Sequence, residues 1–457
     1  MPTPVYILDE EDNIKLKKVL ILAYDFPPYV SVGGLRPYAW FKYLKQFNVY
    51  PIVITRQWKN KYGNELDYIS EGISDSNIHE KYENGEIIRT PYKTNLSNKL
   101  LLKHGENRYK ILRKLISGYY EFSQFLLING PKKNIYYGAE NYINKEKIDL
   151  IIATGDPFIL FNYATRLSEK FNIPWIADYR DPWSQDIPLQ KKFILKKWSH
   201  FNEKKILKTV ASIITVSQFV ADKIALNDTK SKIHIIPNGF DPEIIHNISK
   251  INQNSSNLTI SYAGTIYNWH PIEIFFNSLD EFLKLNAEVK LNLNFYGINN
   301  QNDIKKILAK YPTVKKCIEF HPRIPNAKLL TKLAESNLLL LFNYYSFMGT
   351  KIYDYLGLRR KILFCFTDDE NALKLKDKYY NIDESSNTNK ELQSDLIKDS
   401  NSGVLVKNAE HLKEVLMDTI SEFKKTKSIK CESKNVSQFS REFRVKELAN
   451  LIEKTIS

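Results

Sequence analysis

Leu338-Leu-Leu-Leu-Phe342 leads through Asn-Tyr-Tyr-Ser-Phe-Met348 into Gly349-Thr-Lys-Ile-Tyr-Asp-Tyr-Leu356. The first five residues form an apolar run short enough for a buried strand. Ile352, Tyr355 and Leu356 then fall at helical spacing, so Gly349-Thr350 marks a helix start. Gly349 lets backbone come close to a ligand, and Thr350 can cap the helix. The first amides of such a helix have no intrahelical acceptor and favour an anion. Lys351 adds a cation, and Asp354, one turn on, can accept from hydroxyls. Strand, glycine loop, cationic helix start and carboxylate together suit a nucleoside diphosphate, with its phosphates on the amides and its ribose on Asp354. An ordinary capped core helix would also fit this stretch.

Working outward, the same unit recurs along all 457 residues. Val19–Ala23, Tyr50–Ile54, Leu150–Ala153, Trp175–Asp178, Ile213–Val216 and Ile233–Pro237 read as strands with helical periodicity between them. That alternation predicts a parallel sheet covered on both faces. Pro237-Asn-Gly-Phe-Asp-Pro242 closes it, and a polar connector follows at 246–257. The pattern restarts with Thr259–Ala263, Leu291–Tyr296, Ile318–Phe320, Leu338–Phe342, Lys361–Phe366 and Gly403–Val406. The expected fold class is α/β, with two tandem Rossmann-like doubly wound domains facing a cleft. Their expected bounds are 1–245 and 258–438, with a closing amphipathic helix at 439–457. Asp368–Ser402 is polar and interrupted, and is expected to be irregular.

In such sheets ligands sit beyond the carboxyl ends of the strands. After the first strand comes Tyr24-Asp-Phe-Pro-Pro-Tyr-Val-Ser-Val-Gly-Gly-Leu-Arg36. Gly33-Gly34 permits a tight turn into a helix near Leu35, a fair phosphate or acceptor loop and also a common packing device. Arg36 in a first helical turn is unfavourable with the helix dipole, and an anionic partner would explain it. Ile176-Ala-Asp-Tyr-Arg-Asp-Pro-Trp183 brings Asp178, Arg180 and Asp181 to a strand end, where charges need partners or a task. A salt bridge is the plain alternative to a site role for Arg180 and Asp181. Asp156 reads as an N-cap, and Glu203 as a helix residue paired with Lys204 or Lys208.

Composition narrows the functional classes. The charge is +14, from 66 Lys and Arg against 52 Asp and Glu. Residues 1–250 carry 36 of the bases against 27 of the acids. A basic surface attracts anionic lipid or phosphorylated substrates, and no nucleic-acid-binding signature accompanies it. Lys191–Lys208 holds seven lysines around Ile194, Leu195, Trp198, Phe201 and Leu207. That is the pattern of a basic amphipathic helix for an anionic membrane surface, or of a core helix with a solvated lysine face. No apolar run reaches the ~20 residues needed to span a bilayer, and Met1–Lys18 lacks a signal-peptide core. Cys317, Cys365 and Cys431 are far apart, which speaks against a disulfide framework or a zinc site and for a reducing, cytoplasmic setting.

Taken in order, these stretches resemble the family 4-like glycosyltransferases of the glycosyltransferase B fold. The pieces that carry the resemblance are Phe26-Pro-Pro with Gly33-Gly34 and Arg36, Asp178-Tyr-Arg-Asp-Pro-Trp183, and Glu203 with Ala211-Ser-Ile-Ile-Thr-Val-Ser217. Ile236-Pro-Asn-Gly-Phe-Asp241, Ile260-Ser-Tyr-Ala-Gly-Thr265 and Thr350-Lys-Ile-Tyr-Asp-Tyr-Leu356 complete them. The resemblance implies sugar transfer from a nucleotide sugar with retention, no metal and no cofactor. It places the donor on the second domain, at Gly264, Thr265, Gly349, Thr350, Lys351 and Asp354. The acceptor, a lipid-linked or polysaccharide glycan, falls to the first domain, with Gly33, Gly34 and Arg36 as its loop and Arg180 and Asp181 as catalytic candidates. The role implied is cell-surface glycan synthesis at the inner membrane face. Three positions depart from the family pattern. Asp354 matches the second of two glutamates eight residues apart, but the first falls on Ser346. Thr265 stands where many members have arginine after the glycine. The Arg180-Asp181 region stands where many have a histidine. A non-catalytic nucleotide-sugar-binding subunit and a nucleotide-sugar epimerase are the other readings of this fold.

Overall fold

The structure is a computed structural model that describes residues 16–59, 66–185, 193–227, 231–248, 250–382, 384 and 389–457. The chain divides into two compact units. The first takes residues up to 216, then 220–237 and 445–457; the second takes 217–219 and 238–444.

In the first unit the strands are β1 (Lys17–Leu22), β2 (Val49–Arg56), β3 (Ile78–Tyr82), β4 (Gly85–Thr90), β5 (Leu150–Gly155), β6 (Trp175–Tyr179), β7 (Ser212–Thr215) and β8 (Lys232–Ile235). They form one sheet in the order β3-β4-β2-β1-β5-β6-β7-β8. Among the described residues only β3 runs antiparallel, against β4. The inner parallel strands β1, β2, β5, β6 and β7 are largely buried on both faces, so they read as apolar runs. One face packs Val19, Ile21, Val53, Ile152 and Ile176 against Trp40 and Leu44. Val445, Leu448 and Ile452 of the closing helix Arg441–Ile456 join the same cluster.

The second unit contains β9 (Leu258–Ala263), β10 (Leu291–Tyr296), β11 (Ile318–His321), β12 (Leu338–Phe342), β13 (Lys361–Cys365) and β14 (Gly403–Val406). Their order is β11-β10-β9-β12-β13-β14, and every pairing is parallel. One face packs Ile260, Tyr262, Phe295 and Phe342 on Phe275 and Phe276 of the helix Ile272–Leu285. The other packs Leu339, Leu341 and Phe364 on Ile352, Tyr355 and Leu356 of the helix Lys351–Leu358. Gly357 lets that helix approach closely, because a Cβ there would lie 2.7 Å from the Phe240 ring.

Both sheets change winding direction at a defined place. From β9 the chain goes outward to β10, while β12 on its other side leads to β13. Likewise β1 leads to β2, and its other neighbour β5 leads to β6. The loops leaving β9 and β12, and those leaving β1 and β5, therefore diverge and open a crevice at the carboxyl ends.

Three local expectations need correction. Asp368–Ser402 is not irregular throughout: it carries the helices Glu370–Tyr379 and Leu392–Asp399, the first capped by Asp369 onto the amides of Asn371 and Ala372. The expected connector at 246–257 begins inside the helix Pro242–Ile248. β3 and β4 were not foreseen: Ile78-His-Glu-Lys-Tyr82 is an edge strand with no apolar run, and in Gly85–Thr90 only Ile87 and Ile88 are apolar. Of the lysine-rich stretch, Lys191 and Lys192 lie outside the described residues; residues 193–206 form the helix Phe193–Ile206, and Leu207 and Lys208 lie in the turn after it.

Candidate functional site

In the second unit, Gly264 directly follows β9 with φ +124°, a conformation that suits glycine. Its amide donates to Tyr296 O at 3.2 Å. A Cβ on Gly264 would lie 3.9 Å from Lys351 Cγ, so the exits of β9 and β12 meet there. Thr265 offers its carbonyl to Tyr262 Oη at 2.6 Å. Ala263 N donates to Tyr355 Oη at 3.1 Å, which ties the end of β9 to the helix Lys351–Leu358. Gly264, Thr265, Gly349, Thr350, Lys351 and Asp354 are thus brought together at one switch point. Thr350 occupies the N-cap position but makes no side-chain capping bond, so the expected cap is absent; the Tyr353 amide donates to Thr350 O at 3.2 Å, and the amides of Lys351 and Ile352 stay open to another acceptor. Lys351 Nζ lies 3.4 Å from Asp354 Oδ2, with Asp354 nearly buried and Lys351 partly exposed.

The loop before this helix is braced from behind. Asn343 Oδ1 accepts from Tyr345 N at 2.7 Å, and Tyr345 sits in the left-handed region at φ +56°. Tyr344 N donates to Gln393 Oε1 at 2.8 Å. Tyr380 donates to Tyr344 O at 3.0 Å, and Ser346 Oγ lies 3.0 Å from the same Tyr380 hydroxyl. Gln393 and Tyr380 come from the stretch expected to be irregular. Ser346 is fully buried, and its hydroxyl helps hold the loop's shape.

Sequence reading missed the aromatic wall that follows Gly264-Thr265. Tyr267 stacks on Trp269 with ring centres 4.3 Å apart, and Tyr344 meets His270 at 4.9 Å. Tyr267-Asn-Trp-His270, three residues after a strand-end glycine, was the available signal. His270 is buried, and its Nδ1 accepts from Tyr267 N at 3.3 Å, which places the ring's proton on Nε2. Burial pushes the His270 imidazole down to about 3. An unfolded histidine titrates near ~6.5. Between those values the unfolded chain binds a proton that the folded chain refuses. Stability of the second unit is therefore fully present above pH ~6.5 and falls as pH drops toward 3. Acid unfolding followed from pH 7 to 4 should be shallower for His270→Phe than for the wild type; identical profiles would contradict this.

In the first unit, Arg36 turns inward. Its Nε donates to Asp178 Oδ1 at 2.9 Å with both side chains buried, and Nη1 donates to Ile236 O at 2.7 Å. The anionic partner inferred for Arg36 is thus Asp178 of β6, not a ligand, and Arg36 leaves the phosphate-loop assignment. Gly33 and Gly34 lie inside the first turn of the helix Val32–Tyr43, not in a loop before it. Ser31 caps that helix onto Gly34 N at 3.0 Å.

Arg180 follows β6. It donates from Nε to Gly155 O at 2.6 Å and from Nη2 to Asp156 O at 2.7 Å. Asp156 therefore contributes a carbonyl, not an N-cap; the helix Ile159–Phe171 has Phe158 at that position. The Arg180 guanidinium lies over Gly33 so closely that a Cβ there would collide with it and come 2.7 Å from Asp25 Oδ2. Asp25 accepts from Ser31 Oγ at 2.7 Å, and burial raises its carboxyl above the ordinary range. Asp25 was not singled out from sequence, although it lies three residues past the end of β1. Gly33, Asp25 and Arg180 thus converge at the β1/β5 switch point, with Asp181 exposed beside them. Glu203 is buried and accepts from Tyr179 Oη at 3.1 Å and Ser184 N at 3.2 Å, not from Lys204 or Lys208. Among the described residues no group of three His, Cys, Asp or Glu is placed to hold a metal ion.

Residues 121–244 match Glycosyltransferase Family 4. Sucrose-phosphate synthase from Thermosynechococcus elongatus superposes at TM-score 0.53 with 13% identity over 96% of each chain. A trehalose-6-phosphate protein from E. coli bound with UDP-2-fluoro glucose superposes at 0.54 with 10% identity, again over 96% of each chain. This chain has the glycosyltransferase B fold. A protein from Listeria monocytogenes described as a UDP-N-acetylglucosamine 2-epimerase shares the fold at TM-score 0.51, with 10% identity over 96% of each chain. No curated protein matches the sequence. Within the glycosyltransferase B fold, the family match falls mostly on the first unit, extends into the start of the second at 238–244, and runs through Arg180 and Glu203.

Proposed function

We propose that the protein is a glycosyltransferase that moves a sugar from a nucleotide-sugar donor to a lipid-linked or polysaccharide glycan, with retention of configuration, in cell-surface glycan synthesis. The observation that carries this reading is the meeting of Gly264 with Lys351 at the carboxyl ends of β9 and β12. There the open amides of the helix Lys351–Leu358 and the Lys351 ammonium can take a diphosphate. Breaking the glycosidic bond moves negative charge onto that leaving group, and preorganised amides and a cation stabilise it without a metal. Asp354 takes the ribose hydroxyls, and the Tyr267–Trp269 wall shields the site from water. The acceptor is assigned to the first unit, with Arg180 and Asp25 at its switch point and Asp181 beside them.

One observation favours a second reading, a nucleotide-sugar-binding subunit without turnover. Ser346 is buried on Tyr380 where the family pattern has a carboxylate, so this position supplies none to the donor sugar. Transfer of radiolabel from nucleotide sugars into the lipid and polymer fractions of the host cell, with NMR assignment of the product anomer, separates the two. Labelled α product from an α donor is expected. Tight donor binding with no label transferred would favour the subunit.

Gly33→Ala gives a sharper handle on the first unit. The new Cβ must displace the Arg180 guanidinium. A catalytic group moved by about 1 Å costs on the order of a hundredfold in rate. Transfer should fall by that order while nucleoside diphosphate affinity holds, because the donor groups lie in the other unit. An unchanged transfer rate would remove Arg180 from the mechanism.

A further inference from the structure

The helix Lys110–Leu126 leaves an apolar stripe uncovered. Ile111, Leu115 and Tyr119 follow one another at four-residue intervals and so share a face. They are 77%, 68% and 60% exposed, and Leu112 beside them is 46% exposed. The helix is fixed to the first unit at its other face, where the Ser97 and Ser117 hydroxyls meet at 2.9 Å and Phe125 is buried. Between residues 96 and 120 the chain carries six Lys and Arg against a single acid, Glu106. Of these, Lys103, Arg108, Lys110 and Lys114 are exposed.

This stripe continues onto a second helix. Phe122 meets the Trp198 ring at 5.4 Å, and Trp198 stacks on Phe201 at 6.0 Å. Phe201 and Ile194 of the helix Phe193–Ile206 are 59% and 68% exposed, among exposed Lys196, Lys204, Lys205 and Lys208. Lysine-rich sequence alone is equally consistent with a solvated helix face. Uncovered isoleucine, leucine and aromatic side chains on two touching helices are not what a solvated face needs.

We infer that these two helices form one docking surface for an anionic lipid bilayer, with the apolar side chains entering the headgroup region and the lysines on lipid phosphates. Exposed apolar side chains rimmed by cations match the interfacial pattern of helices that lie on membranes. Charge decides against the other occupant of such a face. A second copy docked on it would bring two strongly basic surfaces together at a cost. No helix among the described residues is long and apolar enough to cross a membrane, so the contact is one of surface. The inference stands on this surface and not on the transfer reading.

The test is flotation of the full chain with phosphatidylcholine vesicles and with phosphatidylcholine–phosphatidylglycerol vesicles, at low and high salt. Binding to the mixed vesicles alone, reversed by salt, is expected. Each basic residue near such a surface contributes up to about fivefold in affinity. Lys110→Gln, Lys114→Gln, Lys204→Gln and Lys205→Gln combined should therefore weaken binding at least about tenfold. Ile111→Ser with Leu115→Ser should do the same at unchanged charge, and neither set should alter nucleoside diphosphate binding. Binding to neither vesicle, equal binding to both, or full binding by either variant set would overturn the inference. So would a self-associating chain that Ile111→Ser with Leu115→Ser makes monomeric while no vesicle binds.

Discussion

Asp178→Ala is expected to cost the first unit about 3–5 kcal/mol of stability, the scale for breaking a buried ion pair. Asp178 and Arg36 are both buried, and Arg36 also holds Ile236 O beyond the end of β8. Removing the carboxylate leaves a guanidinium without its counter-charge in a place water does not reach, whereas removing both charges does not. Arg36→Met combined with Asp178→Leu should recover most of the loss. Calorimetric unfolding resolved into two transitions would assign the effect to the first unit. A loss below ~1 kcal/mol, the scale of a solvated surface pair, would contradict the buried assignment and return Arg36 to the list of ligand groups.

That pair also shows where sequence reading stops. Arg36 and Asp178 were each marked as charges needing a partner, and each is the other's partner across 142 residues. Local spacing carries no sign of a contact made only when β1 and β6 enter one sheet. The same holds for Gly33 beneath Arg180, where glycine is required by a guanidinium that arrives from the far side of β5. Lys351 and Asp354 are three residues apart on one helix, so their proximity was legible from periodicity alone. The inner parallel strands other than β4 were legible because both faces are buried and the runs are therefore apolar; in β4, Glu86 and Arg89 cut the run to Ile87 and Ile88. The edge strand β3 and the helices Glu370–Tyr379 and Leu392–Asp399 were not. Their exposed faces break the apolar pattern, while Tyr380, Gln393 and Ser394 bury polar groups that look like surface residues.

Asp354→Ala is expected to weaken nucleoside diphosphate binding by about 1.5–3 kcal/mol, the scale of hydrogen bonds to a charged group. That is roughly a ten- to hundredfold rise in Kd. Asp354 is buried and fixed by the helix that carries it, so its removal takes away acceptors for the ribose without disturbing the loop braced by Tyr380 and Gln393. Lys351→Met should weaken the diphosphate by a similar amount but leave a nucleoside without phosphates unaffected, which separates the two roles. Titration calorimetry with the nucleoside, its monophosphate and its diphosphate reads both. Unchanged affinity in Asp354→Ala would remove that residue from the site.

The central claim is that the second unit activates a nucleotide sugar through the helix start at Gly349–Asp354. The most direct measurement is nucleoside diphosphate release from a panel of nucleotide sugars, with chelator present, by the wild type and by Lys351→Met. The account predicts release from one donor in the panel, sustained in chelator and largely lost in Lys351→Met. Release from no donor, or release that Lys351→Met leaves intact, would contradict it.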